Sequence, residues 1–345
     1  MAILRSMGRN PSGDRLNRVR RSPNYRDGAF QNIEPTTMDV KPSKMPGLLW
    51  KFIRKPHGTQ PPRDVPVIQA DLKNLSADQP VIVWFGHSSY MISSKGFNVL
   101  VDPVFSGYAS PLRGIGRAFK GADVYAVDDL PEIDLLIITH DHYDHLDFET
   151  IVKLKPKVKK TATSLGVGAH LEFWGYDKNA LVKLDWWESA SIRNDINITA
   201  TPARHFSGRT LKHTQTLRSS FVLSLHGPNI FIGGDSGYSN QFKIIGDKFG
   251  PFDLALLDGA QYNDLWSLIH MMPEQTVSAA QDLNAKALLP VHWGKFAMAY
   301  HAWDEPIKRL VTAAQNSKLQ IVTPSIGDVY RIGTTREYAA WWNMT

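Results

Sequence analysis

Between residues 133 and 147 an apolar run passes directly into a cluster of metal-ligand side chains. Leu135-Leu136-Ile137-Ile138-Thr139 is apolar and β-branched, the pattern of a buried strand. It stops at His140, and His140, His142, Asp144 and His145 follow within six residues. A turn leaving a strand can aim the first two at one point and the last two at a neighbouring point, which a regular helix or strand could not do. Histidine is scarce in the chain, 12 in 345 residues, and three fall in this hexapeptide. The chain has no cysteine, so any transition metal must be held by imidazole and carboxylate, ligands that zinc accepts. The absence also excludes disulfides and a thiol nucleophile.

A two-metal site needs more ligands than one loop supplies, and candidates recur after other strand-like runs. Thr201-Pro202-Ala203-Arg204-His205 follows Ile196–Ala200. Ile232-Gly233-Gly234-Asp235-Ser236-Gly237 follows Ile230–Ile232, and Pro290-Val291-His292-Trp293-Gly294 closes Ala287–Val291. Taken singly, each reads as well as a cap or turn residue. Further strands are expected at Val81–Phe85, Asn98–Val101, Ile133–Thr139, Phe221–Leu225, Leu254–Leu257 and Leu319–Val322. Helices are expected over Pro273–Leu283 and Asp304–Ser317, the second with Ile307, Leu310, Val311 and Ala314 on one face and Asp304 as cap. Strands followed by helices suit an α/β architecture of sheets covered by helices, without fixing its topology.

Composition separates the ends of the chain. Hydrophobic residues make up 43% and charged residues 21%, ordinary for a globular protein, and there is no run of 18 apolar residues to span a membrane. The start has no apolar h-region of a secretory signal, so a cytoplasmic protein is expected. Residues 1–60 carry 12 Lys+Arg against 4 Asp+Glu, a net of +8, whereas the remainder carries 27 against 29. Residues 1–60 therefore read as a basic arm, extended or disordered over 1–45, preceding one domain over 61–345. Gly47-Leu48-Leu49-Trp50-Lys51-Phe52-Ile53-Arg54-Lys55 mixes bulky apolar groups with cations. That suits a peripheral membrane contact, or equally a short helix packed on the domain with its cations reaching water. The slightly acidic body counts against nucleic acid as partner.

The order His-x-His-x-Asp-His, then His, Gly-Asp and His, resembles the metallo-β-lactamase superfamily of hydrolases. The likeness extends to its branch containing N-acyl-phosphatidylethanolamine phospholipase D and lactonase-like proteins. It is carried by Trp84-Phe85-Gly86-His87-Ser88-Ser89, Val101-Asp102-Pro103-Val104-Phe105-Ser106, Thr139–Asp147, Thr201–Phe206, Gly234–Tyr238 and His270–Glu274 leading to His292-Trp293-Gly294. It covers roughly residues 80–305. The resemblance implies a four-layer αββα sandwich with two zinc ions at one edge. His140, His142 and His205 would hold one zinc, Asp144, His145 and His292 the other, and Asp235 would bridge both. Asp235, Asp144 and His270 become the catalytic candidates, and His270, Tyr143 and His87 the candidate substrate contacts. Asp102 and Asp147 are expected to orient ligands or backbone. Met272 departs from the pattern, standing where the phospholipase has an acidic residue. The expected activity is phosphodiester hydrolysis of an N-acyl-phosphatidylethanolamine-like phospholipid; hydrolysis of a small soluble ester or lactone is the alternative, and nuclease activity a third.

Overall fold

The computed structural model describes residues 2–37, 47, 50, 55–75, 78–209 and 212–344. Two short helices, α1 (Ala2–Ser6) and α2 (Asp14–Arg20), and a hairpin of β1 (Tyr25–Arg26) and β2 (Ala29–Phe30) precede two seven-stranded sheets. The first sheet comprises β3 (Val81–Trp84), β4 (Tyr90–Ser94), β5 (Phe97–Val101), β6 (Ile133–Ile138), β7 (Val158–Ser164), β8 (Leu181–Leu184) and β16 (Val329–Arg331). Its order is β16-β3-β4-β5-β6-β7-β8. The second comprises β9 (Ser189–Arg193), β10 (Ile196–Pro202), β11 (Ser219–Leu225), β12 (Asn229–Ile232), β13 (Leu254–Asp258), β14 (Ala287–Val291) and β15 (Gln320–Ile321). These run β15-β14-β13-β12-β11-β10-β9. Each sheet is antiparallel on one side and parallel on the other, the parallel halves being β5 to β8 and β12 to β15.

Strand side chains alternate between faces. Ile82, Trp84, Leu135 and Ile137 of the first sheet meet Ile198, Phe221, Ile230 and Leu256 of the second in one buried core between the sheets. The alternate residues Val83, Leu136 and Ile138 pack outward with Ile151, Leu154 and Leu171 of α3 (Phe148–Leu154) and α4 (Gly168–Phe173). On the far side, Phe231, Ala255 and Leu288 pack against α5 (Gln241–Phe249), α6 (Pro273–Asp282) and α7 (Glu305–Ala314). Burial on both faces is why Leu135–Ile138 of β6 and Leu254–Leu257 of β13 are continuous apolar runs. The result is the expected four-layer αββα sandwich.

The differences have local causes. In α7, Ile307, Leu310 and Ala314 are buried as their spacing predicts, but Asp304 does not cap the helix with its side chain. It accepts from Lys308 Nζ one turn on instead. Strands β7 and β9, Val-Lys-Lys-Thr-Ala-Thr-Ser and Ser-Ala-Ser-Ile-Arg, carry too little apolar alternation to stand out. Residues 2–37 are not an extended arm. Val19 and Phe30 join Leu165, Trp186 and Leu217 in a small core of their own. Arg15 and Arg18 pair with Glu172 and Glu188 of the main body. Apart from Gly47, Trp50 and Lys55, the mixed apolar and basic segment 47–55 lies outside the described residues. Among the described residues no helix is long and apolar enough to cross a membrane.

Candidate metal centre

The ligand-type residues lie in loops just beyond strand ends, those of β6, β12 and β14 in the parallel halves and that of β10 in the antiparallel half. Strand β6 delivers His140 to His145, β10 leads to His205, β12 to Asp235, and β14 to His292. The register keeps these ends level: Ile232 pairs with Leu256, and Asp258 with Val291. Between β12 and Asp235 the chain needs two glycines. A Cβ on Gly233 would lie 2.5 Å from the Leu256 carbonyl oxygen, and Gly234 adopts φ +60 against Thr139.

Two sets of four side chains form there, His140, His142, His205 and Asp235, and His87, Asp144, His145 and His292, each with ligand atoms mutually within 4.8 Å; Asp235, His270 and His292 make a third set that overlaps them. In the first, His142 Nδ1 lies 3.1 Å from His205 Nε2, and Asp235 Oδ2 is 3.8 Å from both His140 Nε2 and His205 Nε2. In the second, His145 Nε2 is 3.5 Å from Asp144 Oδ2 and 3.1 Å from Asp235 Oδ2. Asp235 Oδ1 points to His292 Nδ1 at 3.1 Å, so Asp235 stands between the sets.

Neighbouring groups decide which nitrogen His205, His140 and His145 present. His205 Nδ1 donates to the Ile269 carbonyl at 3.0 Å, leaving Nε2 with its lone pair. Asp102, 1% exposed, accepts from Thr139 N at 2.9 Å, Thr139 Oγ1 at 2.6 Å and His145 Nδ1 at 2.8 Å. Because the Thr139 hydroxyl hydrogen goes to Asp102, its oxygen accepts from His140 Nδ1 at 3.0 Å. One carboxylate therefore turns Nε2 of both His140 and His145 toward the centre, the arrangement that metal-ligating histidines need. Asp147 orients backbone rather than a ring: it accepts from Ser106 N at 3.0 Å and Glu149 N at 3.2 Å, the latter capping α3.

Burial, reinforced by neighbouring imidazoles, holds the His140, His205 and His292 pKa values well below the usual range, so these rings are neutral donors. At His145 burial also opposes charge, but Asp235, Asp144 and Asp102 outweigh it and raise its pKa well above the ordinary value. The cluster of carboxylates thus calls for positive charge at its centre.

This donor set fits a pair of metal ions. Tetrahedral zinc with bonds of ~2.0–2.1 Å puts adjacent ligand atoms about 3.3 Å apart, and the separations above span 3.1–3.8 Å. His140 Nε2, His145 Nε2 and Asp235 Oδ1 are buried yet have no hydrogen-bond partner among the described residues. Such orphaned groups are costly unless something absent from the chain itself satisfies them.

A cavity of about 260 Å3 opens above the sets, with His142, Asp144, Asp235 and His292 in its floor. Phe206, Trp266, Ile269 and Met298 wall it. His270 lies at its edge with its side chain 13% exposed, and its Nδ1 meets Asp258 Oδ2 at 2.7 Å. Burial disfavours the His270 cation, but Asp258, supported by Asp235 and Asp144, prevails and raises its pKa.

Two expected substrate contacts lie elsewhere. His87 is fully buried beneath the centre, with Nε2 2.9 Å from Asp144 Oδ2, and does not line the cavity. Its position within the second ligand set was not legible, because a paired loop makes it: His87 N donates to Trp293 O and His292 N to His87 O. Tyr143 does not line this cavity but a separate groove with Ile3, Leu112 and Arg113. Its hydroxyl donates to the Arg209 carbonyl at 2.8 Å, and its ring packs 4.2 Å from the Arg209 guanidinium. Asp258, the partner of His270, was missed because it ends an apolar strand and resembles a turn residue. Its one sequence signal is its place at the end of an apolar run, Leu254–Leu257.

A family model described as a beta-lactamase superfamily domain matches residues 97–293. An uncharacterized protein of Mycobacterium tuberculosis is 38% identical over 331 residues, covering 94% of this chain and 88% of that protein. The chain belongs to the metallo-β-lactamase superfamily. It is a metal-dependent hydrolase of that fold with a buried His/Asp metal site. Within the superfamily it is similar to N-acyl-phosphatidylethanolamine-hydrolyzing phospholipase D 1 of Caenorhabditis elegans, 29% identical over 270 residues, 72% of this chain and 74% of that one. Among solved structures, a metallo hydrolase from the archaeon Ignicoccus hospitalis superposes with TM-score 0.56 at 20% identity. That match covers 73% of this chain and 97% of that one, and speaks to the fold alone.

Proposed function

We propose that this superfamily member is a dizinc phosphodiesterase acting on N-acyl-phosphatidylethanolamine-like phospholipids at a membrane surface. His140, His142 and His205 would hold one ion, Asp144, His145 and His292 the other, and Asp235 both. Two zinc ions bound there would supply Lewis-acid stabilisation of phosphoryl charge and acidify a water for attack. The reaction joins the water oxygen to phosphorus and breaks the bond from phosphorus to the amide-bearing alcohol, giving a phosphatidic acid and an N-acylethanolamine. The leaving oxygen needs a proton. His270, raised in pKa and held by Asp258 at the cavity edge, would donate it from Nε2.

The observation that carries the reading is the apolar wall of Phe206, Trp266, Ile269 and Met298 directly over a polar, ligand-rich floor. Such a mouth matches an ester with a charged centre and greasy flanks. The likeness to the worm phospholipase points the same way. Membrane contact is supported by Ile3 and Leu112, 51% and 45% exposed, which line one groove beside the metal loop with Arg113. The cavity volume of about 260 Å3 favours a second reading, a small soluble ester or lactone.

Metal-loaded protein should be assayed on N-acyl-phosphatidylethanolamine vesicles, a soluble bis-aryl phosphodiester and a phosphorylated lactone. The expected result is phosphatidic acid and N-acylethanolamine from the vesicles. Cleavage of the lactone alone would transfer the assignment to the second reading, and inertness toward both phosphodiesters would refute the first.

A further inference from the structure

Residues 30–36 cross the loop that carries His205, and Asn32 is the contact point. Its Nδ2 donates to the His205 carbonyl at 3.0 Å, and its Oδ1 accepts from the His205 backbone N–H at 3.3 Å. One side-chain amide thus satisfies both backbone groups of a residue that lies beyond the end of β10. Asn32 is itself fixed. Its Oδ1 also accepts from Arg218 at 2.6 Å through Nη2 and 3.1 Å through Nε, and Arg218 is 1% exposed. Arg218 Nη1 donates to the Phe30 carbonyl, and Phe30 N donates to Thr214 O at 2.9 Å. On the other flank Arg204, next to His205, donates to Pro35 O at 2.8 Å and Thr36 Oγ1 at 3.0 Å.

Apart from its approach to the other candidate ligands, His205 is therefore located from outside its own loop by Ile269 O at the ring and Asn32 at the backbone. We propose that Asn32 is a positioning residue for the His140/His142/His205 set, so that the N-terminal segment is part of the metal centre. The inference rests on the two-metal reading above. It distinguishes the sets, because the hydrogen bonds of the Asn32 side chain among the described residues go to His205 and Arg218 and not to Asp144, His145 or His292. Losing a group that orients a ligand weakens metal affinity by roughly 10–100-fold. In Asn32→Ala that loss should fall on one ion.

The test is zinc release from the full-length, zinc-loaded protein to a chromogenic chelator. His145→Ala, which disables the other set, assigns the release phases. Asn32→Ala should speed one phase by roughly 10–100-fold and leave the other unchanged. Asn32→Asp keeps the acceptor for His205 N–H and Arg218 but loses the donor, and should fall between. Gln31→Ala, on the same segment, should match wild type. Two phases at wild-type rates in Asn32→Ala would overturn the positioning role alone. So would loss of both ions together with a lowered unfolding midpoint of the metal-free variant, the signature of a merely structural contact. A wild-type protein that retains no zinc would overturn the two-metal reading and this inference with it.

Discussion

Replacing Asp102 by alanine removes one acceptor from three donors at a site 1% exposed. The Thr139 hydroxyl can rotate, but Thr139 N–H and His145 Nδ1–H are left buried without a partner. Each stranded donor costs about 1–3 kcal/mol, so the metal-free protein should lose on the order of 2–6 kcal/mol. The effect on the centre is separate. His145 loses the group that keeps its proton on Nδ1, and His140 loses the hydroxyl whose orientation Asp102 sets. Metal affinity should fall by roughly 10–100-fold, the usual cost of removing such a partner.

Asp102→Asn separates the two effects. The amide keeps the volume and one carbonyl oxygen, but its NH2 must face either Thr139 N–H or the His145 ring. Facing the ring, it favours the tautomer with the proton on Nε2, the atom that must offer a lone pair. The asparagine variant should therefore lose less stability than alanine yet bind metal as weakly. Denaturant unfolding of the metal-free proteins and chelator competition on the loaded ones measure the two quantities independently. Wild-type metal affinity in Asp102→Asn would refute the claim that this carboxylate sets the ligand tautomers.

His270→Gln should lower turnover by roughly 10²–10⁴-fold, the contribution of a general acid, without changing metal content measured by atomic absorption. Gly233→Ala would push a Cβ to 2.5 Å from the Leu256 carbonyl oxygen, so the loop carrying Asp235 must shift. Lower metal retention and a lower unfolding midpoint are both expected, read by the same chelator and denaturant assays. Leu310→Ala empties a fully buried position under α7 and should cost about 2–5 kcal/mol in denaturant unfolding. The folded fraction should keep its full complement of metal, because α7 contributes no ligand.

The metal loop was legible because two independent patterns abut within fifteen residues, a buried strand and a dense set of ligand side chains. His205, Asp235 and His292 were legible only in company: each alone matches an ordinary turn residue, and their recurrence after strands made the pattern. What the chain order hides is contact across loops. His87 reaches Asp144 because its loop pairs with that of His292, and Asp258 reaches His270 across 12 residues by ending β13 level with the site. Strands such as β7 and β9 escape for another reason. The polar residues of β7 are held by ladder partners on either side and those of β9, at the sheet edge, by β10, so pairing supplies what their alternation lacks.

The N-terminal segment shows how composition misleads when partners are distant. A net of +8 over residues 1–60 reads as a leader seeking an anionic surface. Net charge counts side chains and not what they face. Arg15 faces Glu172, and Arg18 faces Glu188, acids more than 150 residues away in the chain. The apolar anchors of the segment, Val19 and Phe30, are too sparse to register as a periodic face, and its polar contacts with the main body, such as Asn24 with Asp185, join residues distant in the chain. Asn32, the residue with the closest bearing on the metal centre, is neutral, and nothing local distinguishes it from a loop asparagine. A basic stretch and a strap over a metal ligand thus share one composition. They differ in consequence: a leader can be removed with the centre intact, whereas removal of this segment would free both backbone groups of His205.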